Sequence, residues 1–334
     1  MKRFFILILS VLFLSSCTKN LSTIDTANCY IVSKGGKYCF NASVKGNSDE
    51  VILNGEYAEV LWESFGTNKT PKPGELIKLV SYDDGYIYFT VPNLFKKGNA
   101  VIAVKDDSGE ILWSWHIWLT DEPREQVYYN NAGTMMDRNL GATTEDHGYD
   151  GNIVYAWGRK DPFLRSSAMV TAEFPEGDMT SQETGTIDYT IANPMTYIYD
   201  GDYEYSINDG HWEWRRSKDL WGSYKTMYDP CPVGWRVPDA SVWIESLQLA
   251  KHRERIYGNK YAEFYDTITD IWHSDAQLYQ LYRSYQDNSI WYPMGTYWSV
   301  DNNLTLQLYG DGASITLKLP SEMSQIRCQK ESSL

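Results

Sequence analysis

The chain has 334 residues and a formal net charge of −14 at pH 7, a length that is sufficient for two domains. The negative charge argues against binding to nucleic acid or to anionic lipid through a basic face. The 13 tryptophans and 26 tyrosines indicate either aromatic-rich β cores or surfaces on which ligands stack.

The first residues have the pattern of an export signal. Lys2 and Arg3 precede an apolar run, residues 4–14, that is too short to span a bilayer as a helix. The next residues, Leu14-Ser15-Ser16-Cys17, resemble the bacterial lipobox, whose cysteine is acylated and becomes the new N-terminus. We therefore expect residues 1–17 to be a lipoprotein signal peptide. Lipidation at Cys17 would then hold the protein to a membrane, in the cell envelope and at the outer membrane. The alternative is an ordinary secretory signal whose cleavage site contains a cysteine.

Four cysteines remain if Cys17 carries lipid: Cys29, Cys39, Cys231 and Cys328. An even number in an exported chain predicts two disulfides, with three connectivities open. Proximity in the sequence favours Cys29–Cys39 and Cys231–Cys328. A zinc site is the weaker alternative, because no cysteine pair has the close spacing of a zinc motif.

Residues 18–27 are polar and predict a tether. From residue 28 the pattern indicates strands, beginning with a hairpin of residues 29–33 and 37–40 around Gly35-Gly36. Turn residues separate the further runs, which are Ala58 to Trp62, Ile77 to Ser81, Tyr86 to Thr90, Asn99 to Lys105 and Glu110 to Leu119. About seven short strands in fewer than 100 residues are typical of an immunoglobulin-like β-sandwich, which we assign to residues 28–122. His116 is expected to be a structural residue on the last strand.

Asp121, Glu122 and Pro123 indicate a break between domains, and the second unit begins near residue 127. One helix is expected after Asp239 as its N-cap, and a second over residues 261–272. Residues 165–190 lack periodicity and predict a long excursion. The end of the chain returns to strands over residues 295–300, 304–309, 314–319 and 325–329, with Gly310-Asp311-Gly312 as a hairpin turn.

Three segments of the second unit are distinctive in their order. The first pairs Met136-Asp-Arg-Asn-Leu-Gly-Ala142 with Tyr155-Ala-Trp-Gly-Arg-Lys-Asp-Pro-Phe163. The second is Tyr228-Asp-Pro-Cys-Pro-Val-Gly-Trp-Arg-Val-Pro-Asp239, and the third pairs Gly295-Thr-Tyr-Trp-Ser299 with Ile326-Arg-Cys-Gln329. Together they resemble the Fibrobacter succinogenes major paralogous domain of Bacteroidota surface lipoproteins, over residues 127–330. The N-terminal unit resembles the sandwich often joined to that domain.

The resemblance implies a C-type-lectin-like α+β domain whose chain ends pair in a small sheet, so the whole chain is expected to be β-rich and α+β. It also implies a Cys231–Cys328 disulfide. The motif residues have a structural interpretation as well: Asp137, Arg138 and Arg159 are suited to buried paired networks, and most motif tryptophans to a core.

The sequence contains no phosphate loop, no His-Glu-x-x-His motif and no nucleophile elbow, and we therefore expect no enzymatic activity. The expected function is ligand binding or adhesion, with a glycan or a surface protein as the partner and without nucleic acid. Two alternatives remain: an accessory subunit of a fimbria-like assembly, and an enzyme that acts on polysaccharide.

The candidate ligand-binding rings lie outside the motifs, at Trp212, Trp214, Trp221 and Trp291. No cofactor is expected, although a calcium site at Asp301, Asn302 and Asn303 is one hypothesis.

Overall fold

Two four-stranded sheets form the N-terminal part of the chain. The computed structural model describes residues 17–128, 132–143, 153–165, 169–199, 220–245, 295–301, 304–309, 312–317 and 323–332. In the first sheet the strand order is β1 (Lys19–Asn20), β3 (Gly36–Asn41), β6 (Tyr86–Val91) and β5 (Lys78–Asp83). In the second sheet the order is β2 (Cys29–Val32), β8 (Ile111–Leu119), β7 (Gly98–Lys105) and β4 (Tyr57–Ser64).

The five runs predicted between residues 58 and 119 all form strands, with ends that differ by at most two residues. Their alternating and β-branched or aromatic residues suit a pleated surface that buries at least one face. The inner faces of both sheets meet in one core. Phe40 of the first sheet contacts Tyr30 and Trp115 of the second, with ring centroids 4.5 and 5.3 Å apart.

The second sheet is buried on both faces. Along β8, Trp113 and Trp115 point into the core between the sheets, whereas Trp118 points the other way. There Trp118 joins a second core with residues of the C-terminal unit, among them Trp157 and Trp298. The C-terminal unit therefore packs on the outer face of the second sheet as a third layer.

The hairpin predicted from residue 29 to residue 40 is wrong. β2 pairs in parallel with β8, whereas β3 pairs with β6 in the opposite sheet. Residues 33–35 therefore cross between the two sheets. Because side chains alternate along a strand, Cys29 and Cys39 lie on the outer faces of opposite sheets, and the sandwich separates them.

The disulfides differ from the sequence prediction in one bridge of two. Cys231–Cys328 forms as predicted. The predicted Cys29–Cys39 bridge is wrong: Cys39 is bonded to Cys17, and Cys29 is a buried free thiol. A sulfur in a disulfide cannot also carry a lipid, so the Cys17–Cys39 bond and the expected lipidation of Cys17 are mutually exclusive states of one thiol.

Residues 18–27 do not form the expected free tether. β1 pairs in parallel with β3, with Lys19 opposite Tyr38. The Thr18 N–H donates to Lys37 O at 3.2 Å and the Leu21 N–H to Cys39 O at 2.8 Å. The chain after Cys17 is therefore held directly against the edge of the first sheet.

The described residues of the C-terminal unit form short strands with few helical residues. Its first and last strands share one sheet, in which the order is β15 (Trp235–Arg236), β20 (Gln329–Lys330), β10 (Thr134–Met136) and β9 (Glu125–Val127). A second sheet contains β12 (Phe163–Leu164), β11 (Ile153–Ala156) and β19 (Met323–Ser324). A third contains β16 (Gly295–Trp298), β17 (Leu304–Tyr309) and β18 (Gly312–Leu317), and β13 (Asp178–Met179) pairs with β14 (Ile198–Tyr199).

The excursion expected over residues 165–190 contains β13 and the start of α1 (Ile187–Ala192), whose N-cap is Thr186. The helix predicted after Asp239 begins at Ala240. The Ala240 N–H donates to the Asp301 carboxylate at 2.6 Å. The Asp239 side chain, predicted as the N-cap, pairs with Arg236 instead. The helix predicted over residues 261–272 lies outside the described residues. Within the described ranges no helix has both the length and the apolar character needed to cross a bilayer.

Candidate functional site

The first motif forms a buried ion-pair network. The Arg138 guanidinium donates to Asp137 at 2.8 Å and also to Thr120 and Asp121. Although burial acts to raise the pKa of Asp137, the hydrogen bonds from Arg138 hold it below its usual range. The network joins the chain after β8 to the loop after β10, because Thr120 and Asp121 follow the sandwich and Asp137 belongs to the motif.

Arg159, in the Tyr155–Phe163 part of the first motif, stabilises the end of α1. Its guanidinium donates to the carbonyl oxygens of Thr190, Asn193, Pro194 and Thr196, at 2.7 to 3.3 Å. A cation at this position satisfies the carbonyls that a helix C-terminus leaves unpaired. Burial lowers the pKa of Arg159 to about 10, so the guanidinium stays charged at neutral pH.

Lys160 and Asp161 pin the motif to the second sheet. The buried Lys160 ammonium donates to Asp161 at 2.7 Å and to Ser114 Oγ at 2.6 Å, and the Ser114 hydroxyl donates to Asp161 at 2.6 Å. The ammonium also lies 4.5 Å from the centroid of the Trp113 ring. The ammonium, the hydroxyl and Asp161 Oδ1 are hydrogen-bonded to one another, which fits a polar contact between the two layers.

A chain of buried hydrogen bonds connects β2, β8, β7 and the first motif. The Asn99 amide donates to Gly141 O at 2.9 Å, so its Oδ1 is the acceptor that lies 2.9 Å from His116 Nε2. His116 Nε2 therefore carries the proton, and Nδ1 accepts from the Cys29 thiol at 3.4 Å. These are the residue types of a Cys-His-Asn nucleophilic site.

The electrostatics of this chain differ from those of such a site. Burial raises the pKa of the Cys29 thiol far above its ordinary value and lowers the pKa of His116 to about 3. A nucleophilic cysteine needs a lowered pKa and access to substrate, whereas here both groups are neutral and fully enclosed. The arrangement fits a structural hydrogen-bond chain, in line with the structural role expected for His116.

The second motif is organised around Asp229. Its carboxylate accepts from the backbone N–H groups of Cys231 and Val237, both at 2.8 Å, and pairs with the buried Lys225 ammonium at 3.2 Å. Lys225 donates further to the carbonyls of Cys231, Pro232 and Trp235. This shapes the turn that carries the disulfide.

The predicted ligand rings do not come together in the described part. Trp221 is fully buried, contacts Trp157 with centroids 5.7 Å apart, and donates to Tyr228 O, so its prediction as a ligand-binding ring is wrong. Trp212, Trp214 and Trp291 lie outside the described residues.

The calcium hypothesis also falls partly outside the described residues, because Asn302 and Asn303 are not among them. Asp301 is exposed, and one of its oxygens accepts the Ala240 N–H. Within the described ranges, no three His, Cys, Asp or Glu side chains form a group suited to hold a metal ion.

An open cleft lies between the β7–β8 turn and α1. It is lined by Glu110, Glu183, Asp188, Tyr189 and Asn193, together with Gly109, Ile111, Thr186 and Ala192. The Tyr189 hydroxyl donates to Asp178 at 2.6 Å, and this hydrogen bond, with burial second, raises the pKa of Tyr189 to about 12. Hydroxyl, amide and carboxylate groups beside a half-buried ring make a polar surface with many acceptors.

Sequence reasoning missed this cleft because its lining comes from two segments about 75 residues apart. Neither Asp106-Asp-Ser-Gly109 nor the helix after Thr186 is more than a turn or a cap signal on its own. Only the packing of α1 on β8 makes them one surface. Comparisons with protein-family models, with curated proteins and with solved structures found no match.

Proposed function

We propose that the chain is a non-enzymatic cell-envelope lipoprotein, anchored through Cys17, that binds a glycan in the cleft between the β7–β8 turn and α1. The observation that carries the proposal is that Cys17, bonded to Cys39 on the outer face of the first sheet, lies well away from this cleft. Cys17 precedes Thr18, which bonds Lys37 near the start of β3. Gly109 to Ile111 lie at the other end, where β8 begins.

The separation follows from strand geometry. β2 and β8 run in parallel, with Val32 opposite Leu119, and residues 33–35 lead from β2 to the start of β3. The Cys17 end is therefore the end at which β8 finishes. β8 has nine residues, and a strand rises about 3.3 Å per residue, so the two ends of β8 are roughly 25 to 30 Å apart. Cys17 is bonded to Cys39, three residues into β3, and therefore lies roughly 10 Å from the end at which β8 finishes. An anchor at one end would present the cleft away from the membrane.

The lining of the cleft suits a polyhydroxylated ligand. Glu110, Glu183 and Asp188 are exposed, and ionised carboxylates accept hydrogen bonds from hydroxyl groups without donating any. The Tyr189 ring offers an apolar face beside them, and a ring with a polar tip suits ligands that are partly apolar. A binding role needs only these contacts.

Two features of the fold support the family assignment within this proposal. The orders β3-β6-β5 and β8-β7-β4 correspond to the B-E-D and G-F-C orders of immunoglobulin-like sandwiches. In the C-terminal unit Met135 pairs with Gln329, which fits the paired chain ends of a C-type-lectin-like domain of the Fibrobacter succinogenes major paralogous type.

A glycan array tests the proposal, with the unmodified chain, Tyr189→Ala, and Tyr224→Ala as the matched control on an exposed tyrosine outside the cleft. We expect the control to bind as the unmodified chain does and Tyr189→Ala to lose about tenfold, as for one ring contact of about 1.4 kcal/mol. Equal binding by Tyr189→Ala would place the ligand elsewhere. Release of shortened sugar from a bound glycan would instead identify a polysaccharide-acting enzyme.

One observation favours the alternative of a fimbria-like assembly. β1 is a short terminal strand at a sheet edge, and such edges can accept a strand from another chain. A folded Cys17→Ala/Cys39→Ala variant that stays monomeric at all concentrations would argue against strand exchange, and concentration-dependent oligomers would support it.

A further inference from the structure

The two ends of the sandwich carry opposite charge. The end opposite Cys17 contains the segments 49–56, 83–84 and 106–110, and its acidic residues are Asp49, Glu50, Glu56, Asp83, Asp84, Asp106, Asp107 and Glu110. The Cys17 end, here called the lysine end, contains the segments 33–37, 65–78 and 92–97. Its basic residues are Lys34, Lys37, Lys69, Lys72, Lys78, Lys96 and Lys97, which outnumber the acidic residues Glu75, Asp121 and Glu122 at the same end. The net charge of −14 therefore conceals a basic surface.

The lysines of this end are available to a partner. Only Lys96 and Lys97 pair with carboxylates, those of Glu75 and Asp121. The five others are exposed, and they form no ion pair within the part of the chain that the structure describes: Lys34, Lys37, Lys69, Lys72 and Lys78.

Two of them lie in one row across the first sheet. Lys37 of β3 and Lys78 of β5 each pair with Thr90 of β6, the strand that lies between them. Directly opposed residues share a face, so both ammonium groups project from the outer face of the sheet, about 10 Å apart at the backbone.

Exposed leucines accompany the lysines. Leu94 is 79% exposed and Leu79 is 71% exposed. Leu79 follows Lys78 at a bulge in β5 and has a φ of 51°, a left-handed backbone conformation that is uncommon for leucine. Such strain persists only where the surroundings enforce it and often marks a functional surface. Basic groups flanking exposed aliphatic side chains are the composition of surfaces that lie on anionic membranes.

We propose that the lysine end docks on an anionic phospholipid surface, with Leu79 and Leu94 entering the interface. The proposal rests on the anchoring at Cys17 argued above, because residues 18–21 bond to β3 and leave no spacer between a lipid on Cys17 and this end of the sandwich. A lipid there brings the lysines to the headgroups, and the docked end fixes the orientation of the molecule.

The test uses the chain from Cys17 onward, which retains every contact described here, with the Cys17–Cys39 disulfide closed so that no lipid contributes. Co-sedimentation with phosphatidylglycerol-containing vesicles at low salt is compared with vesicles of phosphatidylcholine alone. We expect binding to the anionic vesicles only, and its loss at high salt. Each lysine near an anionic surface strengthens binding by about fivefold. Lys34→Ala/Lys37→Ala/Lys78→Ala should therefore weaken binding by about a hundredfold.

The matched control, Lys45→Ala/Lys105→Ala/Lys330→Ala, removes the same charge outside the segments that define the lysine end, at lysines that are already paired with Glu50, Glu59 and Glu125. It should bind as the unmodified chain does. Equal weakening by both triple variants would overturn the proposal, as would equal binding to the two vesicle types. Binding to a uronic-acid polysaccharide without binding to the vesicles would also overturn it. Failure here is distinct from failure of anchoring, which the membrane fractionation of Cys17→Ala measures independently.

Discussion

Acidification should destabilise the fold through His116. The side chain is enclosed as the neutral imidazole, between the Cys29 thiol and the Asn99 amide, and burial lowers its pKa to about 3. In the unfolded chain a histidine has a pKa of about 6.5. Between these two values the unfolded state binds the extra proton, so stability is present above pH 6.5 and is lost as the pH falls.

The magnitude follows from the two pKa values. At pH 5, about 1.5 units below the pKa of an unfolded histidine, the imidazole of the unfolded state is protonated and that of the folded state is not. This difference lowers the unfolding free energy by about 2 kcal/mol. Most carboxylates titrate below this pH, so the range from pH 6.5 to pH 5 isolates histidine. Urea unfolding across that range should show a declining stability for the unmodified chain. The stability of His116→Gln should be nearly independent of pH over this range, although the variant is less stable than the unmodified chain at neutral pH. An equally steep decline in the variant would refute the assignment.

The remaining predictions concern the disulfides, the buried ring and the anchor. Cys231→Ser/Cys328→Ser should lose about 4 to 5 kcal/mol in urea unfolding, because the bridge closes a loop over a separation of 97 residues; a loss below 1 kcal/mol would contradict this. Trp221→Ala should cost about 3 to 5 kcal/mol in the same assay and leave glycan affinity of the folded fraction unchanged, since the ring is buried. Cys17→Ala should leave the membrane fraction, and retention after a high-salt wash would place the anchor elsewhere.

The strands of the sandwich could be predicted from the sequence because each has a local signal. Residues 98–105 and 111–119 alternate or run apolar between turn residues, and both form strands close to the predicted bounds. The partner of a strand has no such local signal. Gly35-Gly36 resembles a hairpin turn, but the residues before it pair with β8, more than 80 residues away. The predicted Cys29–Cys39 pairing relied on proximity in the sequence, and it is wrong because the two residues lie in opposite sheets.

The structural role of the motif residues was accessible to reasoning from residue type, whereas the candidate site was not. Arg138 and Arg159 beside turn-forming residues indicate buried pairing, and both are buried in hydrogen-bond networks. The cleft at Tyr189 depends on the docking of a six-residue helix against a strand from another unit. The net charge of the chain gave no indication of the lysine end, because a total does not show that basic and acidic residues lie at opposite ends of the sandwich.

The orientation of the molecule on a membrane tests the central claim most directly. A fluorophore on Asn93→Cys marks the lysine end, and one on Asp107→Cys marks the cleft end, each in lipidated protein that carries Cys39→Ala. In vesicles containing brominated lipid, we expect strong quenching of the probe at residue 93 and little at residue 107. Equal quenching at both positions, or stronger quenching at residue 107, would contradict an anchor at the lysine end with the cleft facing away from the membrane.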